Sequence, residues 1–137
     1  MEPPYIGIDL VETARLASRL KRTPSLAAEL FLSGEQAYAA AQQLPIEHLA
    51  ARFAAKEAVV KALGMDGFDP LDIEVVEGGE RCALRLHGSA ERRAGELGVT
   101  VTISLTHIGA IGGAVALARP QARSGGPSAR TPTPKAT

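Results

Sequence analysis

The segment Ile46–Leu63 restricts the fold of this chain more than any other, and it is opened by Pro45 and closed by Gly64. Proline fits the first helical turn, where its missing N–H is no loss, and glycine suits the residue just past the last turn. At about 100° per residue, Ile46, Leu49, Phe53, Val60 and Leu63 gather into a large apolar face. Ala51, Ala54, Ala55, Ala58 and Ala62 form a second face of small residues opposite. No broad polar face lies between the two, so the helix is expected to be packed on both sides.

Such a helix should carry few charges, yet it holds Arg52, Lys56, Glu57 and Lys61. Lys56 falls inside the large apolar face, and Glu57 lies at its border with Lys61 one turn on. A charge on a buried helix is costly unless it is paired, ligated or part of a site. Two readings stay open. Glu57 and Lys61 can form an ordinary i,i+4 surface pair, or Glu57 can share a site with a second carboxylate. Asp9 is the candidate for that second acid. It can equally cap a helix beginning at Val11. Two carboxylates with waters and phosphate oxygens would suit an octahedral Mg²⁺ ion.

The rest of the chain supplies the wrapping. Tyr5–Leu10 alternates, with Ile6, Ile8 and Leu10 on one face and Gly7 and Asp9 on the other, which predicts a strand. Helices are predicted over Val11–Lys21, Ser25–Phe31 and, from a Ser33/Gln36 capping box, to Gln43. Strands at Asp72–Val76 and Arg81–Leu86 meet through Gly78-Gly79. A helix over Gly88–Leu97 precedes the alternating strand Val99–Leu105, whose Val99, Val101, Ile103 and Leu105 should point inward. A turn at His107–Gly109 leads to a last strand, Gly112–Leu117. Helices first and antiparallel strands later indicate an α+β fold, a single domain with a sheet around a long central helix. Residues 1–119 form that domain. Residues 120–137, rich in Pro, Ser, Arg, Thr and Gly, cannot bury enough surface to stay ordered.

Composition narrows the function. Aromatic residues make up 4% of the chain and Trp is absent, so the core rests on Leu, Ile, Val and Ala, and self-association is a reasonable way to bury more. Cys82 is the lone cysteine, which excludes an intrachain disulfide and a Cys-rich metal site. No signal peptide or run long enough to cross a membrane is visible, and a cytoplasmic location is expected. The net charge is zero. Arg123, Arg130 and Lys135 lie beyond Pro120 with no acid among them, so the body is mildly acidic, unlike a nucleic-acid binder. Against that trend, Arg15, Arg19, Lys21 and Arg22 form a basic patch on or just after the first helix.

Several motifs then stand in a telling order. Gly7-Ile8-Asp9-Leu10-Val11-Glu12 followed by Arg15 comes first, then Phe31-Leu32-Ser33-Gly34-Glu35. Arg52-Phe53-Ala54-Ala55-Lys56-Glu57-Ala58 with Lys61-Ala62-Leu63-Gly64 follows, and Asp72-Ile73-Glu74-Val75 and Ser104-Leu105-Thr106-His107 complete the set. Together they resemble the holo-acyl-carrier-protein synthases, a family of 4′-phosphopantetheinyl transferases, over the whole folded body. The connection Met65–Leu71 is shorter than in many members.

The resemblance implies the 4′-phosphopantetheinyl transferase fold and transfer of the phosphopantetheine arm of coenzyme A to a serine of an acyl carrier protein. It implies a homotrimer with active sites between subunits. It also implies that Asp9 and Glu57 hold Mg²⁺, that Glu57 acts as base and that Lys61 stabilises the leaving phosphate. Arg52, Lys56, Lys61, Gly64 and His107 are expected to contact coenzyme A. Arg52 and Lys56 can equally be buried structural pairs, and His107 a surface residue of a turn. His48 and His87 are read as structural. The patch Arg15, Arg19, Lys21 and Arg22 is either a solvated helix end favoured by the helix dipole or a docking surface for an acidic carrier protein. A silent coenzyme-binding paralogue, a thioester hydrolase and a purely structural trimer are the competing readings. The two candidate ligands and Lys61 speak against the first, and the buried charges against the last.

Overall fold

The computed structural model describes residues 2, 5–76 and 82–122. Strand β1 (Tyr5–Glu12) leads into helix α1 (Thr13–Arg22), and the short helices α2 (Leu26–Leu30) and α3 (Ser33–Ala40) follow. The long helix α4 (Pro45–Leu63) comes next, then a single 3-10 turn at Pro70–Asp72. The hairpin strands β2 (Ile73–Val76) and β3 (Ala83–Leu86), helix α5 (Gly88–Leu97) and strands β4 (Val99–Ile108) and β5 (Ile111–Pro120) complete the chain. The architecture is α+β, as expected. The Gly78-Gly79 connection and the tail beyond residue 122 lie outside the described residues.

Helix α4 is the centre of the molecule. It packs on β1, β4 and β5 on one side and on α1, α3, α5 and β2 on the other, as its two apolar faces require. The alanine face meets a three-stranded antiparallel sheet in the order β1-β5-β4. The sheet answers with small residues of its own. Gly7 pairs with Ala116, Asp9 with Ala114 and Val11 with Gly112, while Ala114, Ala116 and Ala118 are all buried. The approach is close enough that a Cβ on Gly7 would collide with the Ala58 carbonyl oxygen, and one on Gly112 would lie 2.6 Å from the Ala51 nitrogen. The larger side chains of α4 close two cores, one around Val59, Leu63, Ile73 and Val75, the other around Leu16, Leu30 and Phe31 with Phe53 packed against it.

Helix α4 ends as its sequence predicts. Gly64 adopts a left-handed conformation at φ 63°, and the N–H groups of Gly64 and Met65 bond back to the carbonyls of Lys61 and Val60, the pattern of a Schellman cap.

Four expectations need correction. The first strand continues two residues past Leu10, so α1 begins at Thr13, and Asp9 sits inside the strand rather than capping a helix. The turn between the last two strands is Gly109-Ala110, because Ile108 still pairs with Ile111 and His107 lies on β4 opposite Gly112. Finally, β5 runs through Pro120, and the Gln121 N–H donates to the Gly98 carbonyl at 2.7 Å. The last strand therefore starts one residue before the expected Gly112 and ends three residues after the expected Leu117. Helix α3 also starts differently. Its reach-back bond comes from Glu35, which accepts from the Leu32 N–H at 2.9 Å, and not from Gln36.

Candidate active site

The sheet face that presents Gly7 to α4 also presents Asp9. The strand alternation turns Asp9 toward the helix, and Glu57 stands on the helix border facing it. Both line one cleft of about 230 Å³, together with Glu12, Arg15, Arg19 and Phe53. Asp9 and Glu57, remote in sequence, are thus brought to one place.

Lys61 does not pair along the helix with Glu57. It crosses to β1, where its ammonium donates to Asp9 Oδ1 at 3.0 Å and to the Ile8 carbonyl at 3.0 Å. The Lys61 side chain remains 54% exposed, which leaves it able to turn to a bound anion. Glu57 has its carboxyl pushed above the ordinary range, first by burial and then by the nearby charge of Asp9, with Lys61 opposing. Two hard carboxylates close enough to repel suit a divalent cation with oxygen preference. No cluster of three or more His, Cys, Asp or Glu side chains suited to a metal exists among the described residues, so water or substrate oxygens would have to complete the shell.

Lys61 and Gly64 line a second and larger cleft of about 550 Å³ with Tyr5, Ile6 and Arg93. Arg52 and His107 belong elsewhere. His107 stacks edge-on against His48 at 5.1 Å between centroids and approaches Glu47 at 3.4 Å. Arg52 lies over the Tyr38 ring at 4.1 Å, and its Nε and Nη2 are buried with no hydrogen-bond partner. Burial, followed by the neighbouring His107 and Arg52, holds His48 below its usual 6.5, with Glu47 opposing. Tyr38 and Glu47 carry no signal in the sequence, since nothing in their spacing marks the ring cluster, and His48, read as structural, is part of it. With about 1.5 Å of rise per residue, Arg52 and Lys61 stand on the order of 13 Å apart along α4. The residues expected to contact coenzyme are therefore split along the helix, with Arg52 and His107 beside its N-terminal half and Lys61 and Gly64 at its C-terminal end.

Lys56 is the correction within this set. Its side chain is wholly buried and forms an ion pair with equally buried Glu35 at 2.7 Å. Its other two protons go to the carbonyls of Pro70 at 2.8 Å and Ile73 at 2.7 Å. Glu35 is satisfied as well, by Leu32 N–H and Val75 N–H. Burial pulls the Lys56 ammonium below the ordinary lysine range, with Glu35 opposing. All three donors are spent inside the protein, so Lys56 ties α4 to α3 and β2 and has no donor to offer a coenzyme.

Arg15, Arg19, Lys21 and Arg22 are all exposed on α1. Arg15 and Arg19 face the acidic cleft, one turn apart, and Lys21 and Arg22 end the helix. The basic patch thus adjoins the two carboxylates.

Comparison with known proteins follows the same line. The family model of the 4′-phosphopantetheinyl transferase superfamily matches residues 5–106. A holo-acyl-carrier-protein synthase of Moorella thermoacetica is 48% identical over 115 residues, covering 81% of this chain and 90% of the relative. One from Streptomyces coelicolor is 46% identical over 116 residues, covering 82% and 94%. Among solved structures, a Chronobacterium ammoniagenes ACPS–CoA complex superposes with a TM-score of 0.77 at 31% identity, covering 88% of this chain and all of that one. A holo-acyl-carrier-protein synthase of Bacillus anthracis in complex with CoA (3′,5′-ADP) gives 0.70 at 26% identity, covering 85% and 96%.

Proposed function

The chain belongs to the 4′-phosphopantetheinyl transferase superfamily, and from that premise we propose that it transfers the 4′-phosphopantetheine group of coenzyme A to a serine of an acyl carrier protein. The observation that carries the reading is the meeting of Asp9 and Glu57 in one cleft, with Lys61 bonded to Asp9 and Arg15 and Arg19 at the rim.

In this reading Asp9 and Glu57 hold Mg²⁺, which when bound neutralises the diphosphate of the coenzyme. The serine Oγ attacks the β-phosphorus, a new P–O bond forms, and the bond to the bridging oxygen breaks. Adenosine 3′,5′-bisphosphate leaves. Glu57, which lines the cleft with Asp9, takes the serine proton as general base. Lys61, freed from Asp9 by the small swing its exposure allows, balances the charge on the departing phosphate.

The split of coenzyme residues along α4 is best met by a homotrimer. Lys61 and Gly64 of one subunit would then face Arg52 and His107 of the next across the coenzyme. Arg15, Arg19, Lys21 and Arg22 form the docking surface for an acidic carrier beside the cleft, and the enzyme acts in the cytoplasm in fatty acid or polyketide synthesis. The test is direct. Given Mg²⁺ and coenzyme A, the protein should add one phosphopantetheine mass to an apo carrier. Asp9→Asn and Glu57→Gln should each lower the rate by about 10²-fold or more. Unimpaired Mg²⁺-dependent transfer by either variant overturns the assignment.

A further inference from the structure

The second cleft has a lining of unusual charge. Lys61 and Arg93 are its ionisable side chains other than Tyr5, and no carboxylate lines it. The two cations come from different elements, Lys61 from α4 and Arg93 from α5. Small residues, Ala62 and Gly64, form the floor between them, so a ligand can come close to the backbone there.

Arg93 is held in an unusual way. Its Nε donates to the Leu63 carbonyl at 2.9 Å, one of the last carbonyls of α4, which lack partners within the helix. That bond anchors the guanidinium through Nε and leaves both Nη nitrogens free of the carbonyl. Nη2 lies 3.7 Å from where a Cβ on Gly64 would stand. Nη1 is 3.6 Å from Glu96, a carboxylate that is itself 67% exposed, and such an exposed pair is weak and readily exchanged for a stronger partner. A planar fork anchored at Nε, with Nη2 beside Gly64 in a cation-lined cleft and Nη1 held only by an exposed pair, suits phosphate recognition.

We propose that Arg93 is a coenzyme-binding residue that, with Lys61, clasps a phosphate group of coenzyme A in this cleft. The assignment rests on the transferase reading above and deepens it. It gives α5 a part in substrate recognition and couples that part, through Leu63, to the end of the helix that carries Glu57 and Lys61.

Arg93→Gln separates this role from simple capping, because glutamine keeps an N–H for the Leu63 carbonyl and loses the charge. Steady-state kinetics with Mg²⁺, coenzyme A and an apo carrier should show KM for coenzyme A raised about tenfold. The KM for the carrier and kcat should stay within about twofold. Calorimetric titration with coenzyme A should show the same loss of affinity, and Arg93→Lys should recover part of it. Thermal unfolding of each variant reports the capping contribution separately. A lowered melting temperature with KM for coenzyme A unchanged in both variants overturns the assignment and leaves Arg93 as a cap. Wild-type protein that modifies no carrier overturns the transferase reading itself, a result distinct from active wild type with an unaltered Arg93→Gln.

Discussion

A lysine buried in the middle of an apolar helix face has two physical solutions, a site or an enclosed partner, and Lys56 takes the second. Its three protons meet Glu35 and two backbone carbonyls, and Glu35 also accepts two backbone N–H groups. Removing one member of such a pair strands the other charge, at about 3–5 kcal/mol. Lys56→Met should therefore lower the unfolding free energy by about that amount in urea titrations, while the folded fraction keeps its KM for coenzyme A. A loss under about 1 kcal/mol would refute the assigned role. The position of Lys56 on the helix was legible from periodicity, but its partner was not. Periodicity places a residue around its own helix axis and says nothing of which distant segment will meet it. The phenylalanine-to-glutamate element ending at Glu35 was visible as a motif, and only the fold discloses that its acid answers the lysine. Asp9 and Glu57 were legible as a candidate pair. Each had a local reading as well, a helix cap for Asp9 and an i,i+4 pair for Glu57, and the fold sets both aside by turning Lys61 to Asp9 and placing the two acids in one cleft.

At the scale of elements, the sequence predicts the helices and strands well and their ends less well. Strand β1 illustrates why. Alternation reveals two faces, Ile6, Ile8 and Leu10 against Gly7 and Asp9, but does not say which turns inward. The answer lies in α4, whose alanine face admits only a strand with almost no side chain at the crossing. Gly7 is that point. A methyl group there would overlap the Ala58 carbonyl, which belongs to the backbone and has little room to yield. Gly7→Ala should cost at least the upper end of the usual overpacking range, about 3 kcal/mol, read as a lowered midpoint in thermal or urea unfolding. It should also reduce transfer, since β1 cannot shift away from α4 without separating Asp9 from Glu57. A variant with wild-type stability and rate would show that the contact is looser than the geometry requires. The ends of β4 and β5 were misjudged by one to three residues because their pairing continues through residues, such as His107 and Ile108, with no strong inward preference of their own.

At the scale of the molecule, the three-stranded sheet has one face against α4 and the other open. On the open side Ile6, Ile8 and Leu10 are 69%, 64% and 67% exposed, and Ile108 is 78% exposed. Apolar side chains exposed together on one sheet face make a candidate interface, and a chain poor in aromatics has reason to bury more by association. In the homotrimer proposed above, the separation of Arg52 and His107 from Lys61 along α4 would give association a chemical purpose, which a complementation experiment tests. Glu57→Gln removes the proposed base, and Arg52→Ala removes the proposed coenzyme contact more than two turns before Lys61 on the helix. Each variant alone should be impaired. Where neighbouring subunits share a site, a Glu57→Gln chain still offers its Arg52 to an Arg52→Ala chain that still offers its Glu57. Random mixing after mild denaturation and refolding should restore about one quarter of wild-type activity, the chance that both intact sides face each other. Ile8→Lys, added to both chains, should yield monomers by analytical ultracentrifugation and abolish the recovery. Mixed trimers that assemble and recover nothing would mean that each site is built within a single subunit, and that Arg52 serves only to hold Tyr38 and the helix around it in place.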